Sequence, residues 1–181
     1  MTKVLWAPWR GEWIEDQKKR EGKTSARKKK FEPFTELPKK GASEKTLVLF
    51  VNDDVFVVLN RFPYNPGHLM VIPRQKVDSP EKLTGRELLA VHSALSLCLR
   101  YLKKAYKPHG FNIGMNIGRS AGAGIPEHIH WHVVPRWNGD TNFMPLLAEI
   151  KAAPSHNVTI YRKLKPFFAT FAAELRKVMM S

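Results

Sequence analysis

Apolar and polar positions along the chain fall into two repeats, one of period two and one near 3.6. Apolar, β-branched runs at Thr46–Val51 (TLVLFV) and Val55–Asn60 (VFVVLN) are separated by Asn52-Asp53-Asp54, the spacing of a hairpin. Arg61–Gly67 (RFPYNPG) carries turn residues, and His68–Pro73 (HLMVIP) reads as a third strand. Phe111–Ile117 (FNIGMNI) and His128–Val134 (HIHWHVV) alternate as a fourth and a fifth. Between the third and fourth, Leu88, Val91, Leu95, Cys98, Leu99 and Leu102 recur at three- and four-residue spacing. They predict one long amphipathic helix over Gly85–Tyr106 that covers a sheet face. Thr84 and Glu87 open it as a capping box, Lys103, Lys104 and Lys107 complement its C-terminal dipole, and Pro108 and Gly110 stop it. Leu164, Phe167, Phe168, Phe171 and Leu175 predict a second helix over Tyr161–Met179. Strands in hairpin order with one late helix make an α+β domain: an antiparallel sheet of about five strands, a long helix and a C-terminal helix. The expected organisation is an N-terminal extension over 1–45, the domain proper over 46–145 and a C-terminal helical extension over 146–181.

Composition refines this picture at the N-terminus. Trp6, Trp9 and Trp13 cluster in LWAPWRGEWIE, too aromatic a segment to stay unpacked. From Lys18 to Lys30 (KKREGKTSARKKK) eight Lys or Arg face one Glu, so half of the formal net charge of +14 sits there. The total charge points to nucleic acid, a membrane surface or a phosphorylated ligand. The basic stretch could hold RNA by counterion release, but it has none of the interleaved aromatics that stack on bases and reads first as a solvated, solubilising loop. Uncharged apolar stretches reach only about six residues against the roughly 20 of a membrane helix. The first ten residues lack the apolar core of a secretory signal. The lone Cys98 excludes an internal disulfide and Cys-rich zinc modules, and a soluble, cytoplasmic protein is expected.

The chemistry lies in three of the seven histidines, His128, His130 and His132. On a strand they share one face, about 6.5–7 Å apart, while Ile129, Trp131 and Val133 turn to the core. Such a face suits two chemistries: a zinc ion held by paired imidazoles, or nucleophilic attack on phosphorus by one imidazole assisted by its neighbours. An exposed polar face on an edge strand is the bland alternative. Upstream, Asn116 to Glu127 (NIGRSAGAGIPE) is a glycine-rich loop whose backbone amides could approach an anion, with Arg119 and Ser120 adding donors. Leading directly into the imidazoles, it favours a phosphate ester as ligand.

His128-Ile129-His130-Trp131-His132-Val133-Val134 resembles the signature of the histidine triad (HIT) superfamily, three histidines alternating with apolar residues. The resemblance extends through Leu59–Arg74, Gly114–Pro145 and Leu5–Arg10. It implies a small α+β domain, a homodimer that continues its sheet across the two-fold, and a nucleotide substrate cleaved at the α-phosphorus through a nucleotidyl-histidine. The acceptor would be water in a hydrolase or inorganic phosphate in a phosphorylase. By the same resemblance His130 is the nucleophile, His128 and His132 orient it, assist proton transfer and contact phosphate oxygens, and His68 lines the pocket. Asn60 would hold the ribose hydroxyls and Asn116 a phosphate, with Ser120, Gly122 and Gly124 on the leaving-group side. The histidine step requires no cofactor, although magnesium could accompany a polyphosphate. A binding protein of low turnover, with RNA as partner, is the competing class.

One departure stands out. Similar bacterial chains carry a Cys-x-x-Cys pair before the first strand and a histidine after the third, together a structural zinc site. Here those stretches read Glu32-Pro33-Phe34-Thr35 and Gln75-Lys76. Zinc is not expected, and packing of Phe31, Phe34 and the tryptophans must hold the region. His92, His109 and His156 read as structural or solvated, Cys98 as a core residue, and Trp131 as core. Trp137 and Phe143 follow the triad as residues that could hold a base or a partner subunit.

Overall fold

A computed structural model describes residues 32–140 and 156–180. The chain divides into two compact units, Met1–Glu32 and Pro33–Ser181, and the described residues belong, Glu32 aside, to the second. The tryptophan cluster of residues 6–13, the basic stretch of 18–30, Phe31 and Phe143 lie outside the described residues.

The second unit opens with a short helix α1 (Pro33–Glu36), followed by strands β1 (Val48–Val51), β2 (Val55–Leu59) and β3 (Leu69–Pro73). Helix α2 (Gly85–Tyr106) then precedes β4 (Gly110–Gly114) and β5 (Trp131–Arg136), and helices α3 (Asn157–Leu164) and α4 (Phe171–Met180) complete it. The five strands form one sheet in the order β1-β2-β3-β5-β4, every pair antiparallel.

Alternation sorts the strand residues onto two faces. Leu59, Leu69, Val71, Ile129, Trp131 and Val133 pack beneath α2, whose Ala94, Leu97, Cys98 and Leu102 are fully buried. Burying each large aliphatic side chain stabilises the fold by about 1.5–3 kcal/mol, so this layer fixes the sheet. On the opposite face Val48, Phe56, Val58, Met70 and Ile72 form a smaller cluster roofed by Phe34 of α1.

Helix α2 spans the residues that its periodicity predicts, and Thr84 and Glu87 form the capping box in both directions. Its end differs from expectation. Lys107 takes the left-handed conformation (φ 47°) and returns its N–H to the Lys103 carbonyl, while Gly110 opens β4 instead of stopping the helix. Pro108 next in line cannot continue the helix, so a left-handed lysine is tolerated there. The C-terminal helix is also corrected: Lys165–Ala169 forms a 3-10 turn that splits it into α3 and α4. Pro166 accounts for the break, because it supplies no backbone N–H and crowds the preceding turn. Both helices dock on α2, where Tyr101 donates its hydroxyl to Glu174 at 2.9 Å and Phe168 stacks on Phe171.

The fifth strand begins later than its sequence predicts, at Trp131 and not His128. Its pairing with β3 stops at Val71↔Trp131. Beyond that point the Ile129 N–H bonds to the Val77 carbonyl at 2.7 Å, and the Pro73 carbonyl receives the His128 side chain. Pro73 has no N–H to offer, so the ladder gives way to side-chain contacts where the histidines begin.

Candidate active site

The three imidazoles emerge on the α1 face of the sheet, opposite Ile129, Trp131 and Val133. They do not line an open cleft, as the alternation alone suggests. His128 is 2% exposed and His130 5%, because the Phe34 ring stands edge-on to both, 5.7 and 5.0 Å between centroids. His132 is partly exposed and lies 5.0 Å from His130, ring to ring.

His68, wholly buried, completes the group. Its turn closes by hydrogen bonds from the Asn60 N–H to the His68 carbonyl and from the His68 N–H to the Asn65 carbonyl. Gly67 (φ +79°) is required there, since a Cβ would also meet Leu102 of α2 at 3.2 Å. The closed turn aims the Tyr64 N–H at Nδ1 of His68, 3.0 Å away, with the Asn60 amide at 3.4 Å from the same nitrogen.

Backbone partners fix the tautomers of His68, His128 and His130, since an N–H can only donate and a carbonyl can only accept, and His68 in turn fixes that of His132. The Tyr64 N–H makes His68 Nδ1 an acceptor, so Nε2 carries the proton and donates to His132 Nδ1 at 2.9 Å. The remaining proton of His132 therefore resides on Nε2. His130 Nδ1 faces the His128 carbonyl at 3.0 Å and donates to it, which leaves a lone pair on Nε2. His128 donates from Nε2 to the Pro73 carbonyl at 2.9 Å, so that N–H is engaged by the fold and not offered to a ligand.

Burial favours the neutral form of His130 and His132. Desolvation lowers the pKa of His130 below the ordinary imidazole value, partly opposed by its bond to His128. Desolvation, reinforced by His130, lowers that of His132 to about 4. At neutral pH the arrangement offers a bare imidazole nitrogen beside an imidazole N–H donor.

Beside His132 a cavity of about 460 Å³ opens over β4 and β5, lined by Tyr64, Asn112, Gly114, Asn116, Val134 and Arg136 among others. A larger cavity of about 720 Å³ lies between Lys76–Lys82 and the glycine-rich loop and contains no histidine. Of the two, only the smaller reaches an imidazole, that of His132. Of the nucleotide-binding candidates, Asn60 contacts His68 and Asn116 shares the cavity wall with His132. Gly122 enters only through its carbonyl, 3.4 Å from the Asn116 amide. Ser120 and Gly124 are exposed and make no hydrogen bond to the imidazoles, and the Gly122 and Ala123 amides bond within the loop itself. Three contributors had no signal in the local pattern: Phe34 as a roof over imidazoles, the Tyr64 N–H as tautomer setter, and the clasp in which Asp140 holds Arg136 at 2.7 Å through both carboxylate oxygens.

The stretch at which similar bacterial chains place zinc-binding thiols holds Phe34, whose ring packs on Phe56 and the histidines. These residues do not fit a zinc ion. Among the described residues no group of three or more His, Cys, Asp or Glu is placed to hold a metal. Burial raises the Cys98 thiol far above its ordinary pKa, which makes it a core residue and no nucleophile. No described helix is long and apolar enough to cross a membrane.

Comparison with known proteins adds an independent line. Residues 42–139 match the family model described as HIT domain. AP-4-A phosphorylase of Mycobacterium tuberculosis is 42% identical over 151 residues, which span 83% of this chain and 76% of that protein. The asymmetrical bis(5'-nucleosyl)-tetraphosphatase of Schizosaccharomyces pombe is 33% identical over 82 residues, 45% of this chain and 44% of that protein. Among solved structures, a hypothetical histidine triad nucleotide-binding protein of Sulfolobus tokodaii superimposes with a TM-score of 0.59 at 22% identity, covering 80% of this chain and 91% of its own. At that identity the likeness speaks for the fold alone.

Proposed function

The chain belongs to the HIT-domain family, and on that footing we propose that it cleaves a nucleoside polyphosphate at the α-phosphorus through a covalent nucleotidyl-His130. The observation that carries this reading is the tautomer of His130. With Nδ1–H held by the His128 carbonyl, the Nε2 lone pair is directed away from the backbone and lies on a ring 5.0 Å from that of His132. In the first step Nε2 of His130 forms a bond to phosphorus, the bond from phosphorus to the bridging oxygen breaks, and its electron pair departs with the leaving phosphate. His132, donating from Nε2, hydrogen-bonds the oxygens that gain charge, and His68 holds His132 in that tautomer. In the second step an acceptor oxygen attacks the phosphorus and the electron pair of the P–N bond returns to His130.

Asn60 is read as the ribose ligand and Asn116 as a phosphate ligand, both beside the imidazoles. Ser120, Gly122 and Gly124 are weaker candidates. The reading requires no metal for the histidine step; magnesium would act only by accompanying the polyphosphate. Similarity to a phosphorylase across most of both chains favours inorganic phosphate as the acceptor over water. A homodimer in the cytoplasm belongs to the same reading, with β4 at the edge of the sheet that the described residues form. RNA contact through residues 18–30 has only their charge in its support. Incubation with a dinucleoside tetraphosphate, with and without inorganic phosphate, tests the reading. A nucleoside diphosphate formed only with phosphate establishes the phosphorylase, a monophosphate in either case establishes the hydrolase, and an unchanged substrate overturns both.

A further inference from the structure

The positive charge of the chain is concentrated in two places. Across the helical layer, residues 88–107 and 157–180, nine Lys or Arg stand against one acid, Glu174. Residues 18–30 hold another eight against one, and the whole remainder, imidazole site included, carries thirteen Lys or Arg against fourteen Asp or Glu. The basic total is therefore not a property of the imidazole site. The helical layer packs on the sheet face opposite the imidazoles, so its charge does not line the place of the chemistry.

Within the layer the cations sort by what they touch. Arg100 is paired to Glu174 at 3.0 Å, Arg162 to Glu44 at 2.7 Å, and Lys165 donates to the Leu49 carbonyl at 3.2 Å, so these three serve the fold. Lys103, Lys104 and Lys107 are exposed and have no ion-pair partner among the described residues. With Arg100 they recur at three- and four-residue spacing, which lines them along one side of the end of α2. Lys163 of α3 extends the row, its Nζ 4.3 Å over the centre of the Tyr106 ring. The macrodipole rewards a cation near each helix C-terminus, but like charges three and four residues apart repel. With a single acid in the layer, that repulsion stays uncompensated.

The rest of the face narrows the partner. No Phe, Tyr or Trp of the layer is exposed, so it offers no platform on which unpaired bases stack. Its exposed large apolar residues, Leu89, Val158 and Met180, stand at helix ends outside the row, so the lysines lack the apolar companions that enter a membrane interface. A row of unpaired lysines on a rigid helix suits a regular polyanion that is held through its phosphates alone.

We propose that Lys103, Lys104, Lys107 and Lys163 form a docking surface for the phosphate backbone of a nucleic-acid duplex, separate from the imidazole site and indifferent to base sequence. The proposal stands apart from the nucleotidyl-transfer reading, because the row lies on the other side of the sheet.

A fluorescent DNA duplex of about 20 base pairs, titrated by anisotropy between about 50 and 200 mM salt, tests this on the full chain. Two variants remove equal charge: Lys103→Gln with Lys104→Gln and Lys107→Gln, and Lys28→Gln with Lys29→Gln and Lys30→Gln. The helix variant is expected to weaken duplex binding about tenfold or more and to flatten the slope of log affinity against log salt by about three units, one per lysine. The variant in residues 28–30 is expected to change that slope by no more than about one unit. Equal losses from the two variants reduce the effect to net charge and overturn the surface, as does an unchanged helix variant or a full chain that binds no duplex. Tighter binding of a single strand than of the duplex also contradicts it. Vesicles of phosphatidylserine and phosphatidylcholine form a second arm: a helix variant that releases the vesicles but keeps the duplex assigns the row to a membrane and overturns the proposal. Saturating duplex should leave turnover of a dinucleoside tetraphosphate unchanged, whereas competition between them places the nucleic acid at the imidazoles and overturns it too. Glutamine preserves helix propensity, so the helix variant is expected to melt with the unaltered protein; if it melts early, Lys104→Gln with Lys163→Gln decides.

Discussion

His68 and His132 are joined Nε2 to Nδ1 at 2.9 Å, and the direction of that bond is set four residues upstream of His68 by the Tyr64 N–H. A backbone amide in a turn thus decides that an imidazole on β5 presents an N–H and not a lone pair. Replacing His68 with phenylalanine keeps the buried volume but leaves His132 Nδ1 without its donor. The expected result is a loss of about a hundredfold in kcat, with nitrogen NMR reporting a mixed His132 tautomer. Unchanged kcat and an unchanged tautomer would remove His68 from the account.

Neutral imidazoles predict the acid limb of the activity profile. Both His130 and His132 titrate below the ordinary imidazole value, the latter at about 4. The plot of kcat/KM against pH should therefore be flat across neutrality and fall only below pH 6.5. Stability follows the same sign: the folded state holds fewer protons on His132 than the unfolded chain, so its contribution is complete above 6.5 and declines as pH falls toward 4. A limb centred above 6.5 would contradict the burial argument.

Phe34 is expected to serve packing and chemistry together. It contacts Phe56, His128 and His130 and is 6% exposed. Phe34→Ala should cost about 3–5 kcal/mol in denaturant unfolding. It should also raise the His130 pKa toward the ordinary imidazole value, because desolvation is the main cause of its depression. Proton NMR titration of the His130 ring checks the second effect, and a fully folded variant with an unmoved pKa would refute it.

The capping box gives a contrast remote from the chemistry. Thr84 and Glu87 satisfy each other's backbone N–H groups at the start of α2. Thr84→Ala should cost about 1 kcal/mol of stability, read from the denaturant midpoint, with kcat unaffected at a temperature well below melting.

How much of this was legible beforehand follows from the range of each interaction. Helix α2 matches its expected bounds because its start and its apolar stripe are written within one or two turns of sequence. The two faces of the triad segment were equally local, and Ile129, Trp131 and Val133 do lie in the core beneath α2. The strand start was not, because it depends on Pro73 and Val77 capturing residues 128 and 129 across the fold. Likewise the roof over His130 joins residues 34 and 130, and the Arg136–Asp140 clasp closes through side-chain geometry that no period encodes. The C-terminal split was readable in Pro166, but the surrounding aromatics repeat helically across it and masked the break.

The central claim is that His130 becomes covalently nucleotidylated. Mixing enzyme with a dinucleoside tetraphosphate, quenching in alkali to preserve a phosphoramidate, and mapping the peptides by mass spectrometry measures this directly. One nucleoside monophosphoryl group is expected on His130, lost with turnover in His130→Ala. Continued substrate cleavage by His130→Ala, with no modified histidine in the unaltered protein, would contradict it.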